Sequence, residues 1–143
     1  MLSTKEAKRL LDTAELIYSA DVVADTVRRM AADITAALSD RHPLVLSVMD
    51  GAVVFTGQLL PLLRFPLDFD YVHVSRYHNN TSGGQIDWKV VPRENIQGRV
   101  VLVLDDILDE GVTLAVIRER IMGNGAAAFY SAVLADKDIG RAK

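Results

Sequence analysis

At 143 residues, half of them hydrophobic, the chain has the length of about one domain and enough apolar side chains to bury a sizeable core. Sixteen basic residues against nineteen acidic ones give a formal charge of -3, which lacks the electrostatic footprint of a dedicated nucleic-acid binder. With no cysteine there is no disulfide, thiolate metal site or cysteine nucleophile; the polar start Met1-Leu2-Ser3-Thr4-Lys5-Glu6 is no signal peptide, and no apolar run is long enough to span a membrane. A cytoplasmic location is therefore expected. Leu10, Leu11, Ala14, Ile17 and Tyr18 recur at helical spacing, as do Val23, Val27, Met30, Ile34 and Leu38, so two N-terminal helices are predicted with these faces in the core. Residues 44–49 form a short apolar run ended by Asp50-Gly51, the first core strand. Residues 52–63 read as a helix disturbed near Pro61. From 67 to 75 the chain alternates as a more exposed strand. Residues 76–85 are turn formers without periodicity, a long hairpin loop, and 86–91 resume a strand. A turn at 92–98 leads into a strand at 99–104, a helix from Thr113 to about Met122 is capped by Gly123-Asn124-Gly125, and 126–134 make one more buried strand. The polar residues 135–143 close no element, and Trp88 is read as core.

Residues 100–114 carry the most chemistry. A β-branched run, Val-Val-Leu-Val-Leu, stops at Asp105 and Asp106 and gives way to Asp109, Gly111 and Thr113 at the start of a helix. That is the layout of a phosphate site at the carboxyl end of a parallel strand. A strand-end acidic pair can chelate a hard cation or accept hydrogen bonds from a sugar diol, although such a pair can also simply be solvated. Gly111 can adopt positive φ, letting the N–H groups of residues 109–113 and the Thr113 hydroxyl converge on an anion; a plain helix cap is the alternative. No lysine precedes Thr113, so the Gly-x-x-x-x-Gly-Lys-Ser/Thr nucleotide loop does not match. Asp50-Gly51 between strand and helix is either an ordinary tight turn or a second lining of the same crevice. Arg76 and Tyr77 head a loop longer than a hairpin needs, and they can fold over an anion or stay in solvent. His42, His73 and His78 lack metal-ligand spacing.

The stretch Leu104-Asp105-Asp106-Ile107-Leu108-Asp109-Glu110-Gly111-Val112-Thr113-Leu114 resembles the phosphoribosyl-pyrophosphate motif of type I phosphoribosyltransferases. Residues 47–55 resemble the pyrophosphate loop of that family, and Val74-Ser75-Arg76-Tyr77 with Thr81, Gly83, Gly84 and Trp88 resembles the flexible lid of its hypoxanthine-guanine branch. The resemblance implies an α/β fold with a parallel sheet, flanking helices and a hairpin lid, in one domain over 1–143. It implies purine salvage, making IMP or GMP from hypoxanthine or guanine and phosphoribosyl pyrophosphate with Mg2+. By the same resemblance Asp105 and Asp106 hold the ribose hydroxyls and the metal, and Ile107 lies beside the base. Asp109 is the catalytic residue at the purine N7, and Asp109, Glu110, Gly111, Val112 and Thr113 cradle the 5′-phosphate. Asp50 and Gly51 meet the leaving pyrophosphate, across a non-proline cis bond as in relatives, and Arg76 and Tyr77 belong to the lid. A homo-oligomer, dimer or tetramer, is expected, with neither nucleic acid nor membrane as partner.

Lys stands in many relatives at Asp50, Thr at Glu110, and Lys or Arg at Val112, so backbone donors are expected to carry more of the phosphate binding here. The family reads its purine with a C-terminal segment past residue 134 that has no counterpart in the chain as read, which is expected to weaken base binding. Two other readings stay open: a phosphoribosyltransferase for xanthine or uracil, and a regulator that keeps the fold to sense nucleotides. A phospho-acceptor signalling domain would need its acidic pair near the N-terminus and a lysine on a late strand, and neither is present.

Overall fold

The computed structural model describes residues 1–15, 17–76, 86–108 and 111–136. Two helices, α1 (Thr4–Thr13) and α2 (Ala20–Leu38), precede strand β1 (Leu44–Met49). Helix α3 (Val53–Leu59) tightens into a 3-10 turn, Leu60–Leu62, where Pro61 removes a backbone donor, as the sequence predicts. Strands β2 (Asp68–Arg76) and β3 (Ile86–Val90) follow, then β4 (Val100–Leu108), helix α4 (Val112–Gly123) and β5 (Ala128–Asp136). The sheet order is β3-β2-β1-β4-β5, with β3 antiparallel to β2 at one edge and the other four strands parallel.

The continuous apolar runs of β1 and β4 follow from burial on both faces. Val45, Val100, Leu102 and Leu104 pack with Val27, Ala31, Ile34 and Leu38 of α2 and Phe55 and Leu59 of α3. Leu44, Leu46, Val48, Val101 and Val103 pack on the other face with Ile117 and Ile121 of α4. Thus α2 and α3 cover one side and α4 the other. Ser47 is the polar break in β1, and it is fully buried because its hydroxyl meets that of Thr56 on α3 at 2.7 Å.

The structure corrects four expectations. The first apolar stripe is not core: α1 ends at Thr13, none of its residues is buried, and Leu11, Ile17 and Tyr18 are more than half exposed. Strand β4 does not stop at its acids; it runs on to Leu108, because β5 continues the ladder through Asp105↔Val133, Ile107↔Ala135 and Leu108↔Asp136. Strand β5 begins and ends two residues later than expected, so that Ala135 and Asp136 belong to the sheet, and it is an edge strand, only partly buried, with Tyr130 open to solvent. Trp88 is half-buried rather than core, and the Arg120 guanidinium stacks over its ring at 4.6 Å.

Candidate functional site

β1 is the centre of the sheet, and its two neighbours are reached in opposite senses. The chain leaves β1 through α3 to β2, whereas β4 leaves through α4 on the other face to β5. Such a reversal opens a crevice at the carboxyl ends of the central strands. Pairing between β1 and β4 ends at Ser47↔Leu104, so Asp105 to Leu108 keep β5 on one side and nothing of β1 on the other. The vacated side is a cavity of about 250 Å³ lined by Val48, Gly51, Val74, Asp105, Asp106, Ile107, Leu108, Gly111, Thr113 and Leu114.

Six of the residues singled out in the sequence therefore meet in one place: Gly51, Asp105, Asp106, Ile107, Gly111 and Thr113. Asp50 is exposed in the turn beside them, joined to Met49 by a cis peptide bond, and Val112 opens α4 without lining the cavity. Arg76 ends β2. Asp109, Glu110 and Tyr77, with the other residues of 77–85 where the hairpin loop was expected, lie outside the described residues. Sequence reading carried Val48, Val74, Leu108 and Leu114 only as members of the motif stretches and gave them no place in the cavity wall. Val48 and Val74 could have been found from their places near the carboxyl ends of neighbouring strands, but Leu108 becomes a wall only because β4 is longer than its apolar run.

Side chains alternate along a strand, so Asp106 follows Leu104 toward the α3 side and Asp105 follows Val103 toward α4. Their backbone links them as well: the Asp106 N–H donates to Asp105 Oδ1 at 2.9 Å, and the Ile107 N–H donates to Asp106 Oδ1 at 2.8 Å. Burial pushes the Asp105 carboxyl up to about 7; the Asp106 N–H works against that rise, and the Asp106 carboxylate adds to it. The pair is thus an acidic centre short of positive charge. At the other wall Gly111 has φ 82° and is the N-cap of α4 without contributing a side-chain cap. The first amides of a helix have no intrahelical acceptor, so those following Gly111, with the Thr113 hydroxyl among them, are available to an anion.

Acids on one wall and open amides on the other suit a ligand that is a polyol at one end and a phosphate at the other. Among the described residues no group of three or more His, Cys, Asp or Glu is arranged to hold a metal, so a cation here would draw on the two carboxylates and on oxygens of a ligand. That donor set matches Mg2+, which takes one or two carboxylates and completes its shell with substrate oxygens and water.

The phosphoribosyl transferase domain family matches residues 14–143. The hypoxanthine-guanine-xanthine phosphoribosyltransferase of Tritrichomonas foetus is 33% identical over 136 residues, 95% of this chain and 74% of that protein. The hypoxanthine-guanine phosphoribosyltransferase of Streptococcus pneumoniae is 30% identical over 131 residues, 91% of this chain and 73% of its own. A solved hypoxanthine-guanine-xanthine phosphoribosyltransferase superposes with a TM-score of 0.80 at 31% identity, covering 89% of this chain and 72% of that one. The fold alone is shared with a hypoxanthine phosphoribosyltransferase of Staphylococcus aureus, at a TM-score of 0.85 and 21% identity over 97% of this chain and 76% of that one.

Proposed function

We infer that this chain, which belongs to the phosphoribosyl transferase family, is a purine-salvage enzyme that transfers the phosphoribosyl group of phosphoribosyl pyrophosphate to hypoxanthine or guanine, giving IMP or GMP and pyrophosphate. The observation that carries this reading is the crevice at the β1/β4 reversal, where an acidic pair faces an uncapped helix start across one cavity. The 5′-phosphate sits on the amides of residues 109–113 and the Thr113 hydroxyl, while Asp105 and Asp106 accept from the ribose hydroxyls. Asp50 and Gly51 meet the pyrophosphate through backbone groups, Ile107 flanks the base, and Arg76 and Tyr77 belong to a lid that keeps water from the reacting carbon.

In the transfer the bond from the anomeric carbon to a pyrophosphate oxygen breaks and one to a purine ring nitrogen forms. Positive charge grows on the ribose between these events. Carboxylates held beside the ring favour that charge more in the transition state than in the ground state. Asp105 and Asp106 would hold Mg2+, which when bound neutralises oxygens of the departing pyrophosphate. Asp109 accepts or stabilises the proton at N7 of the base, a task that needs proximity more than an unusual pKa. The enzyme is proposed to work as a dimer or tetramer in the cytoplasm; among the described residues no helix is long and apolar enough to cross a membrane.

The test is product formation from phosphoribosyl pyrophosphate with hypoxanthine, guanine, xanthine and uracil in parallel, with Mg2+ present or chelated. IMP and GMP are expected, and only with the metal. Product from uracil alone would move the chain to another base, and nucleotide binding without turnover would make it a sensor. Replacing Asp109 by Asn is expected to lower turnover on the order of a hundredfold while leaving phosphoribosyl-pyrophosphate affinity nearly unchanged, as loss of acid-base assistance usually does.

A further inference from the structure

Gly51 lies in the turn between β1 and α3, and backbone conformation does not explain why it is glycine. Among the described residues the glycines with positive φ are Gly98, Gly111 and Gly125, and Gly51 is not one of them. What a side chain there would crowd is Asp106. A Cβ placed on Gly51 would lie 3.0 Å from each carboxylate oxygen of Asp106 and 3.2 Å from its Cγ, whereas at Gly57, Gly98 and Gly123 it would meet nothing within 4 Å. Retreat of Asp106 has a cost. Its Oδ1 accepts from the Ile107 N–H at 2.8 Å, so a shift of the carboxylate away from residue 51 strains that bond.

We propose that Gly51 is a positioning residue for Asp106: its missing side chain lets the Asp106 carboxylate seat against the turn after β1, which fixes where that carboxylate meets the ribose. This role is distinct from any backbone contact of Gly51 with pyrophosphate. It rests on the phosphoribosyl-transfer reading for its consequence in catalysis but not for the contact itself.

The test is a double-mutant cycle in the whole protein, Gly51→Ala, Asp106→Ala and both together, with Gly57→Ala as the control that enters open space. Urea unfolding without ligand and steady-state kinetics with phosphoribosyl pyrophosphate and hypoxanthine are measured on each. Displacing the Asp106 carboxylate by a few tenths of an ångström is expected to raise KM for phosphoribosyl pyrophosphate about tenfold in Gly51→Ala, with KM for hypoxanthine little changed. With Asp106 already truncated, adding Gly51→Ala is expected to move neither the urea midpoint nor that KM. An equal penalty in both backgrounds would overturn the proposal, since Gly51 would then act through its own backbone contacts. A harmless Gly51→Ala would overturn it too. If wild-type protein forms no nucleotide, the activity reading fails, while the unfolding cycle still decides whether Gly51 and Asp106 are coupled. Asp106→Ser replaces Asp106→Ala in the cycle if the latter does not fold.

Discussion

Asp105 and Asp70 are both carboxylates in the body of the sheet, and their surroundings push them in opposite directions. Burial, reinforced by the Asp106 carboxylate, raises Asp105 from an ordinary value of 3.8 to about 7. A raised acid stabilises the folded chain fully below its unfolded pKa, and that contribution is lost as pH climbs through about 7. The D105N variant is therefore expected to unfold at a higher temperature than wild type at pH 8 without ligand, with the difference shrinking toward pH 5. Melting curves at the two pH values in chelator check this; a difference independent of pH would remove the titration from the account. Asp70, 2% exposed, would also be raised by burial, but its carboxylate accepts from the N–H groups of Tyr71 at 2.8 Å, Arg93 at 2.6 Å and Glu94 at 3.2 Å and faces the Arg93 side chain, so it is held below the ordinary range. Its stabilisation is present above the unfolded pKa and is lost as pH falls through the lower folded one. Truncation by Asp70→Ala leaves the loop amides without an acceptor and is expected to cost about 2 to 3 kcal/mol, read from urea unfolding at neutral pH. The cost should diminish in strong acid.

At the scale of elements, β1 and β4 were legible as core strands because a run buried on both faces needs no periodicity beyond its own apolar continuity. The length of β4 was not. Asp105 to Leu108 reads as a loop on composition, and only the partner β5, which pairs Asp105 with Val133 and Leu108 with Asp136, makes it strand. The acidic cluster could be placed at a strand end from sequence, but its polarity hid that the strand continues through it. The opposite error occurred at α1, where the apolar stripe was real and burial did not follow. That helix is held by local devices: Ser3 caps it, accepting from the Glu6 N–H at 3.1 Å, while the Glu6 carboxylate accepts from the Ser3 N–H at 3.3 Å. With no buried side chain, α1 has little beyond this box to hold it, since short helices are marginal on their own. Hydrogen exchange is expected to show α1 amides nearly unprotected and β1 and β4 amides exchanging only by global unfolding. Protection of α1 equal to that of β1 in the monomer would contradict this account.

At the scale of the whole molecule, the crevice belongs to no single element: β1, the turn after it, β2, β4 and α4 each supply part of its wall. A ligand that occupies it therefore holds together both halves of the sheet and stabilises the fold as a unit. At a concentration a hundredfold above its Kd, IMP is expected to add about 2.7 kcal/mol to the unfolding free energy, and thermal shifts with IMP and GMP should exceed those with UMP. Equal shifts from all nucleotides would mean that only the ribose 5-phosphate is read. The order β2-β1-β4 also sets a timetable for synthesis. Leu44 pairs with Asp68 soon after both are made, but its other partner is Val101, so β1 waits with one hydrogen-bonding edge bare while the intervening chain is translated. That edge belongs to the most apolar strand of the sheet, and bare edges of this kind invite pairing with other chains. Because the ribosome hides the residues it has just added, a pause after β2 has emerged but before β4 does would hold out a sticky, ligand-blind half-sheet, so slow translation would be most costly at codons downstream of β4 rather than just upstream of it.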